Sequence, residues 1–362
     1  MTSDGTLGIA SPSSLQAIRR CGFAQYRRML QYSGGGESAS SPPARLGNAA
    51  HEVLEWVAAE VQSTDDWPDY EAETRTRWSA ALARQAELSR RHSVESVFGP
   101  SETWPTRALV EERVVIEAER LAGELAHVPL EHRHPEWQLE SDSLSLRGTI
   151  DLCTTTPQGE ARIIDHKAGA VHQEDVGPDG RYRDQVFIYA ALVRGAGYEP
   201  VQAEVRPIGR RPLEVPIAPS AVDAAVEEAH RDLAHYNSVV SGGDPESLAR
   251  PSEDACKWCE FAPSCSPMWS AAPGALGEIQ AVAGAVIQIG ASARGFVDLR
   301  VDSVEGTIQG EVTIARLHPS RIPAVEHIAV GDAIKATGLQ RAAPEGRALV
   351  ARNSSWVRIE SD

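Results

Sequence analysis

The sequence predicts an α/β domain followed by a small all-β domain. Helical periodicities surround a short set of β segments between about residues 136 and 217, the pattern of a sheet with helices laid on it. One segment, Ile163-Ile164-Asp165-His166-Lys167, reads as a buried strand that ends on an acid and a lysine. From about residue 276 the pattern changes to short apolar segments separated by turn signals, with no helical period.

Taken in order, Ser11-Pro12-Ser13-Ser14 starts the first helix, with proline where a helix needs no N–H, and the helix is expected to reach Tyr32. Residues 33–43, rich in Gly, Ser and Pro, read as a loop. A second helix carries Leu46, Ala50, Val53, Leu54 and Val57 along one side, with His51 among them. Two more helices are expected at about 71–92 and 107–126. Strands follow at about 136–140, 144–151 and 161–167, then an amphipathic helix at 183–194. Strands at 200–206 and 212–217 and a helix at 219–238 complete this part, and 241–254 reads as a loop. Five strands are expected beyond it, at 282–289, 295–301, 310–315, 330–338 and 356–359, which fits a small barrel of the OB kind. The boundary is set at 272, giving domains over 1–272 and 273–362.

Side chains of a strand alternate between faces, so Asp165 and Lys167 point one way and His166 the other. With a second carboxylate at Asp151, these groups suit one task. Two acids hold a hard divalent cation, and the lysine steadies charge on a phosphate or an attacking water. The chain has 35 Lys+Arg, of which only Lys167, Lys257 and Lys335 are lysine. Where arginine is the default cation, a lysine beside an aspartate is selected for its compact charge. A strand-end salt bridge is the alternative.

Net charge is −16; residues 271–362 carry −1 of it, so the acidity lies in residues 1–270. Broad nonspecific attraction to nucleic acid is therefore unfavourable, and a local groove or a partner has to supply it. Arg19, Arg20, Arg27, Arg28, Arg206, Arg210 and Arg211 are candidates for such a groove, or else solvated faces of helices and turns. In the barrel, Arg294, Arg300, Arg316 and Arg321, with Phe296 and Trp356, are the few groups able to meet a strand or a partner. No apolar run is long enough to span a membrane, and the first residues lack an export pattern, so a cytoplasmic setting is expected.

Cys256-x2-Cys259-x5-Cys265 is compact and argues for a metal or cluster, with Cys21 or Cys153 as the fourth thiolate. Cys153, inside a β segment, suits a buried thiol, and Cys21 has Gly22 beside it to admit a bulky group. Spacing alone does not choose between zinc and an iron–sulfur cluster. A bond from Cys21 to Cys256 closes a loop of about 235 residues, worth roughly 5 kcal/mol of unfolded-state entropy. His51-Glu52-Val53-Leu54-Glu55 begins like a zinc-protease signature but has glutamate where the second histidine belongs. His132 and His134 read as exposed loop residues.

Five motifs occur in order: Gly47-x3-His51-x2-Leu54-Glu55, Gly148-x2-Asp151, Ile164-Asp165-His166-Lys167-x-Gly169, Gln185-x3-Tyr189 and the four cysteines. Over about residues 11–270 the chain resembles the RecB-like branch of the PD-(D/E)XK nuclease superfamily. Members with a split four-cysteine cluster include the CRISPR-adaptation exonucleases and the AddB-type subunits of helicase–nucleases. The resemblance implies a restriction-endonuclease-like core, a Mg2+ or Mn2+ ion and a 4Fe–4S cluster on Cys21, Cys256, Cys259 and Cys265. It makes His51, Asp151, Asp165 and the carbonyl of His166 metal ligands, Lys167 the water-activating group, and Gln185 and Tyr189 neighbours of the scissile strand. A further acid is expected before Gly148, either Glu136 or Glu140. The implied activity is that of a DNA exonuclease on single-stranded or frayed DNA, in repair, recombination or anti-phage defence, with a helicase or another defence or repair protein as possible partner. The chain departs from the pattern in having Asp165 where many members have Glu, and Gly22 where Pro is frequent. The rival expectation is a catalytically silent scaffold or DNA-binding subunit, and a zinc-stapled RNA hydrolase is a third.

Overall fold

The computed structural model describes residues 5–32, 40–61, 69–91, 100–169, 171, 180, 182–272, 274–291, 295–319, 322–352 and 355–360. The loop expected at 33–43 falls largely outside them, as do Arg294 and Arg321. The chain forms two compact units, one of residues 7–16 and 37–235, the other of residues 1–6, 17–36 and 236–362.

In the first unit, helices α2 (Pro42–Glu60), α3 (Tyr70–Arg91) and α4 (Arg107–Leu125) precede strands β1 (Arg133–Ser141), β2 (Leu146–Thr155) and β3 (Glu160–Lys167). Helix α5 (Arg183–Gly195) carries the chain to β4 (Glu199–Pro207), and a two-residue β5 (Leu213–Glu214) and helix α6 (Pro219–Ser241) follow. The strand order is β1-β2-β3-β4-β5, with β3 and β4 parallel and the other neighbours antiparallel. A parallel pair needs a crossover, and α5 supplies it.

Each sheet face is covered. Leu152 and Ile164 join Leu46, Val53, Trp78, Val114 and Leu121 of the first three helices. Ile150 and Ile163 join Val186, Tyr189 and Val193 of α5 and Val222 of α6. Ile163 and Ile164 are therefore buried on opposite faces, each burial stabilising by about 1.5–3 kcal/mol. This double burial fixes β3 in register, and its polar end residues are carried to a set depth.

Arg133 is a buried anchor at the start of β1. Its guanidinium donates to the carbonyls of Val61, Leu125 and Val128, so it closes the ends of α2 and α4. His132 and His134, expected as exposed loop residues, flank this anchor. Both ring nitrogens lie near the Thr155 hydroxyl (3.3 and 3.2 Å), and His134 stacks on Trp137 at 4.7 Å.

In the second unit the latter part of helix α1 (Pro12–Tyr32) joins α7 (Glu253–Cys256), α8 (Ser266–Trp269) and a barrel. The segment expected as loop at 241–254 contains a 3-10 turn at Pro245–Leu248 and the start of α7. The barrel strands are β6 (Gln280–Ala291), β7 (Val297–Gly306), β8 (Gly310–Leu317), β9 (Ala333–Arg341) and β10 (Ala348–Val350), with β11 (Trp356–Ile359) added outside β9. β10, which the pattern did not signal, is only three residues long. It closes the barrel by pairing parallel to β8 and antiparallel to β9. Leu276, Ile279 and Ala281 lie in one apolar cluster with Cys256, Ala262 and Met268.

Candidate active site

β2 and β3 bring the two acids together. Leu152 pairs with Ile164, and Asp151 and Asp165 stand one step beyond. Asp165 is fully buried. Its Oδ1 accepts from Lys167 Nζ at 2.8 Å and from Gln185 Nε2 at 3.0 Å. Gln185 Nε2 is also 2.8 Å from the Tyr189 hydroxyl, so the two residues four apart on α5 act together beneath the carboxylate. Gly148 is required here, because a Cβ would sit 2.8 Å from the Tyr189 ring.

Asp151 Oδ2 accepts the backbone N–H of His166 at 2.6 Å. Its Oδ1 lies 3.4 Å from His51 Nδ1, and Glu136 Oε1 lies 3.8 Å from the same nitrogen. Of the two acids expected before Gly148, Glu136 is therefore the one at the site, while Glu140 lies across from Arg147. Ligand atoms of His51, Glu136 and Asp151 fall within 4.8 Å of one another, a set unique among the described residues. Glu136 holds a left-handed backbone (φ 44°) inside a strand. Such strain costs on the order of 1–3 kcal/mol, and the pairs Pro135–Leu152 and Trp137–Ile150 on either side set Glu136 opposite Asp151.

The charges are strongly perturbed. Burial pushes the His51 pKa down, but the carboxylates of Asp151 and Glu136 outweigh it and raise the value to about 10. Asp151 shows the converse: burial raises it, and the His51 charge brings it below the usual carboxylate range. Burial raises Asp165 to about 6, against the pull of Lys167. Lys167 is itself held up by Asp165 and Asp151 despite burial. A proton on His51 thus stands where a cation would neutralise these carboxylates. The Lys167 ammonium straddles the Asp165 carboxylate, 2.8 Å from Oδ1 and 2.7 Å from Oδ2.

A profile of the PD-(D/E)XK nuclease superfamily matches residues 9–266. The chain belongs to the PD-(D/E)XK nuclease superfamily. No curated protein shows significant similarity to it. PD-(D/E)XK nucleases use divalent metal ions, and the His51, Glu136 and Asp151 set fits one.

His166 turns away from this site, as alternation requires. Burial pushes its imidazole down to about 3, so the ring is neutral, with Nε2 3.8 Å from Glu117. Behind it Arg206, fully buried, pairs with Glu204, Glu117 and Glu124. Arg206 is thus no groove residue, a correction to the sequence expectation. Glu117 and Glu124, seven apart on α4, form the acidic row that takes it inward. That row was legible only once α4 was laid against β4.

Two other expected groove arginines hold the cysteine segment. Arg27 lies 4.7 Å over the Phe261 ring and donates to the carbonyl of Ser264 at 3.3 Å, and Arg20 pairs with Asp254 at 3.2 Å. Cys21, Cys256, Cys259 and Cys265 line one apolar hollow, together with Phe23, Arg27 and Met268. Cys21 interrupts its helix with an extended backbone (φ −166°, ψ 97°). The space beside Gly22 is filled by Leu248, 3.0 Å from where a Cβ would lie, so this glycine serves packing. Cys153 does not line the hollow; it is buried in one cluster with Ile163, with its thiol raised to about 12 by burial. Among the described residues no helix is long and apolar enough to cross a membrane.

Proposed function

We infer that this chain is a Mg2+- or Mn2+-dependent deoxyribonuclease, acting as an exonuclease on single-stranded or frayed DNA. The observation that carries the reading is the His51, Glu136 and Asp151 ligand set, with Asp165 next to Asp151 across the β2–β3 ladder and Lys167 bonded to Asp165. His51, Asp151 and Asp165 would hold the ion, joined by Glu136 and by the carbonyl of His166. That carbonyl shares an edge with the N–H that meets Asp151, since both groups of an extended residue face one side. A bound divalent ion supplies Lewis acidity and a water of lowered pKa. Lys167 keeps its ammonium at the point where charge gathers on the phosphate, and Asp165 fixes it there. Gln185 and Tyr189 orient Asp165 from below and present donors to the substrate strand.

A scaffold without activity has no use for a raised histidine, a raised aspartic acid and a strained glutamate around one lysine, and this favours the enzyme. Cys21, Cys256, Cys259 and Cys265, which line one hollow, would hold a 4Fe–4S cluster. The cluster would tie α1 to the α7–α8 segment. The barrel is OB-like, since the closed order β6-β7-β8-β10-β9, the parallel β8–β10 pair and the helical turn at Pro323–His327 all suit that fold. The 1–272 and 273–362 division separates chemistry from a module that positions a strand or a partner such as a helicase. We place the protein in the cytoplasm, in repair, recombination or defence.

The metal reading makes a pH prediction. The His51 pKa is raised in the folded metal-free protein, so its contribution to stability is full below about 6.5 and is lost as pH rises toward 10. An ion that takes His51 as ligand must displace that proton. Calorimetric titration of Mn2+ near pH 7.5, in buffers of different ionisation enthalpy, should show about one proton released per ion. Heats independent of buffer would remove His51 from the ligand set.

A further inference from the structure

Resting on the nuclease reading, we propose that the substrate strand runs from the metal site along the stretch of β2 that β3 leaves uncovered, where the Arg147 side chain holds a phosphate next to the one being cleaved. β3 pairs with β2 over Leu152–Thr155 and not over Arg147–Ile150. That stretch keeps an edge uncovered by β3. The N–H of Arg147 points to this edge, where it donates to the Ala10 carbonyl at 2.9 Å. N–H groups alternate along a strand, so the N–H of Thr149 turns to the same side.

A groove of about 690 Å³ lies against this stretch of β2 and the neighbouring β1, lined by Ser13, Gln138, Arg147, Thr149, Gln185 and Tyr189 among others. Gln185 and Tyr189 are the residues bonded beneath Asp165, so the groove and the metal site share a wall. Most other arginines of this unit are tied down: Arg75, Arg84, Arg162 and Arg206 each pair with glutamates. Arg147 is exposed and has no ion pair among the described residues. In a chain of net charge −16, an exposed guanidinium in this groove is a local source of attraction for a phosphate. Four residues of strand separate it from Asp151, about 13 Å. That distance assigns it a flanking phosphate and leaves the scissile one to Lys167. Glu140, opposite Arg147 in the ladder, also lines the groove and opposes the phosphate.

The test is binding of a short fluorescent oligodeoxythymidine, followed by anisotropy over a range of NaCl with Ca2+ in place of Mn2+, on the full chain. Arg147→Ala should weaken binding roughly tenfold at low salt and lower the salt slope by about 0.7, the share of one single-strand phosphate. Arg147→Lys should restore the slope, and Glu140→Gln should tighten binding. Arg90→Ala, at the far end of α3, removes the same charge and should change neither quantity. Arg147→Ala with wild-type affinity and slope overturns the proposal, as does a wild-type protein that binds no oligonucleotide. The two readings fail separately. Wild-type protein that binds with the Arg147-dependent slope yet cleaves nothing in Mn2+ keeps the subsite and loses the nuclease assignment. Cleavage that proceeds with an Arg147→Ala slope equal to wild type does the reverse.

Discussion

Replacing Asp165 with alanine or asparagine is expected to lower DNA cleavage by roughly 10³-fold or more at saturating Mn2+. The carboxylate is the shared partner of Lys167 and Gln185, so its loss removes a metal ligand and frees the ammonium at once. Alanine also strands a buried charge, and breaking such a pair costs about 3–5 kcal/mol. Asparagine keeps an acceptor for both partners and separates chemistry from folding. The pH sign follows from the raised pKa. Asp165 favours folding most at low pH, and that contribution is lost as pH rises from 3.8 through about 6. At neutral pH the metal-free protein therefore carries a buried ionised carboxylate at a cost that a bound cation relieves. Mn2+ should raise the melting temperature of the wild type at pH 7.5 and leave that of Asp165→Asn nearly unmoved. An Asp165→Asn protein that cleaves at wild-type rate would show that this carboxylate is not part of the chemistry.

The second large effect is expected at Cys21. Anaerobically purified wild type should be brown and contain iron and sulfide. Cys21→Ala should lose iron and most of its soluble yield, because it releases the tie between residues about 235 apart, roughly 5 kcal/mol in unfolded-state entropy alone. Cys153→Ala is the control. It trims a buried side chain in the β2 core and should keep full iron content with a modest loss of stability. Equal iron loss in both variants, or a colourless wild type with stoichiometric zinc, would refute the cluster assignment.

Much of the fold was legible because double burial leaves a strong pattern. Ile163-Ile164 announced a strand covered on both sides, and alternation alone predicted that Asp165 and Lys167 would separate from His166. The helix periodicities located α1 to α6 within a few residues. What failed to register was short or depended on distant partners. β10 has three residues and lies parallel to β8, so neither length nor a hairpin turn marked it. Arg206 looked like a surface cation because its three glutamates come from α4 and β4. Arg133 hid for the same reason, since its partners are carbonyls at helix ends. At the site, the choice between Glu136 and Glu140 could not be made from spacing. It turns on the register of β1 against β2, which sets Glu136 opposite Asp151 and Glu140 opposite Arg147. The stretch of β2 that β3 leaves uncovered is equally invisible in sequence, being set by where β3 stops pairing.

Cleavage of end-labelled DNA decides whether the cluster of His51, Glu136, Asp151, Asp165 and Lys167 is a divalent-metal nuclease site. Full-length protein, purified without oxygen, is incubated with labelled single strands and with blunt duplex, in Mn2+ and in EDTA, beside Asp165→Asn. Progressive release of short labelled products is expected from single strands in Mn2+, less from blunt duplex, and none in EDTA or with the variant. Intact DNA with iron-loaded wild-type protein in Mn2+, or equal cleavage by Asp165→Asn, would contradict that assignment.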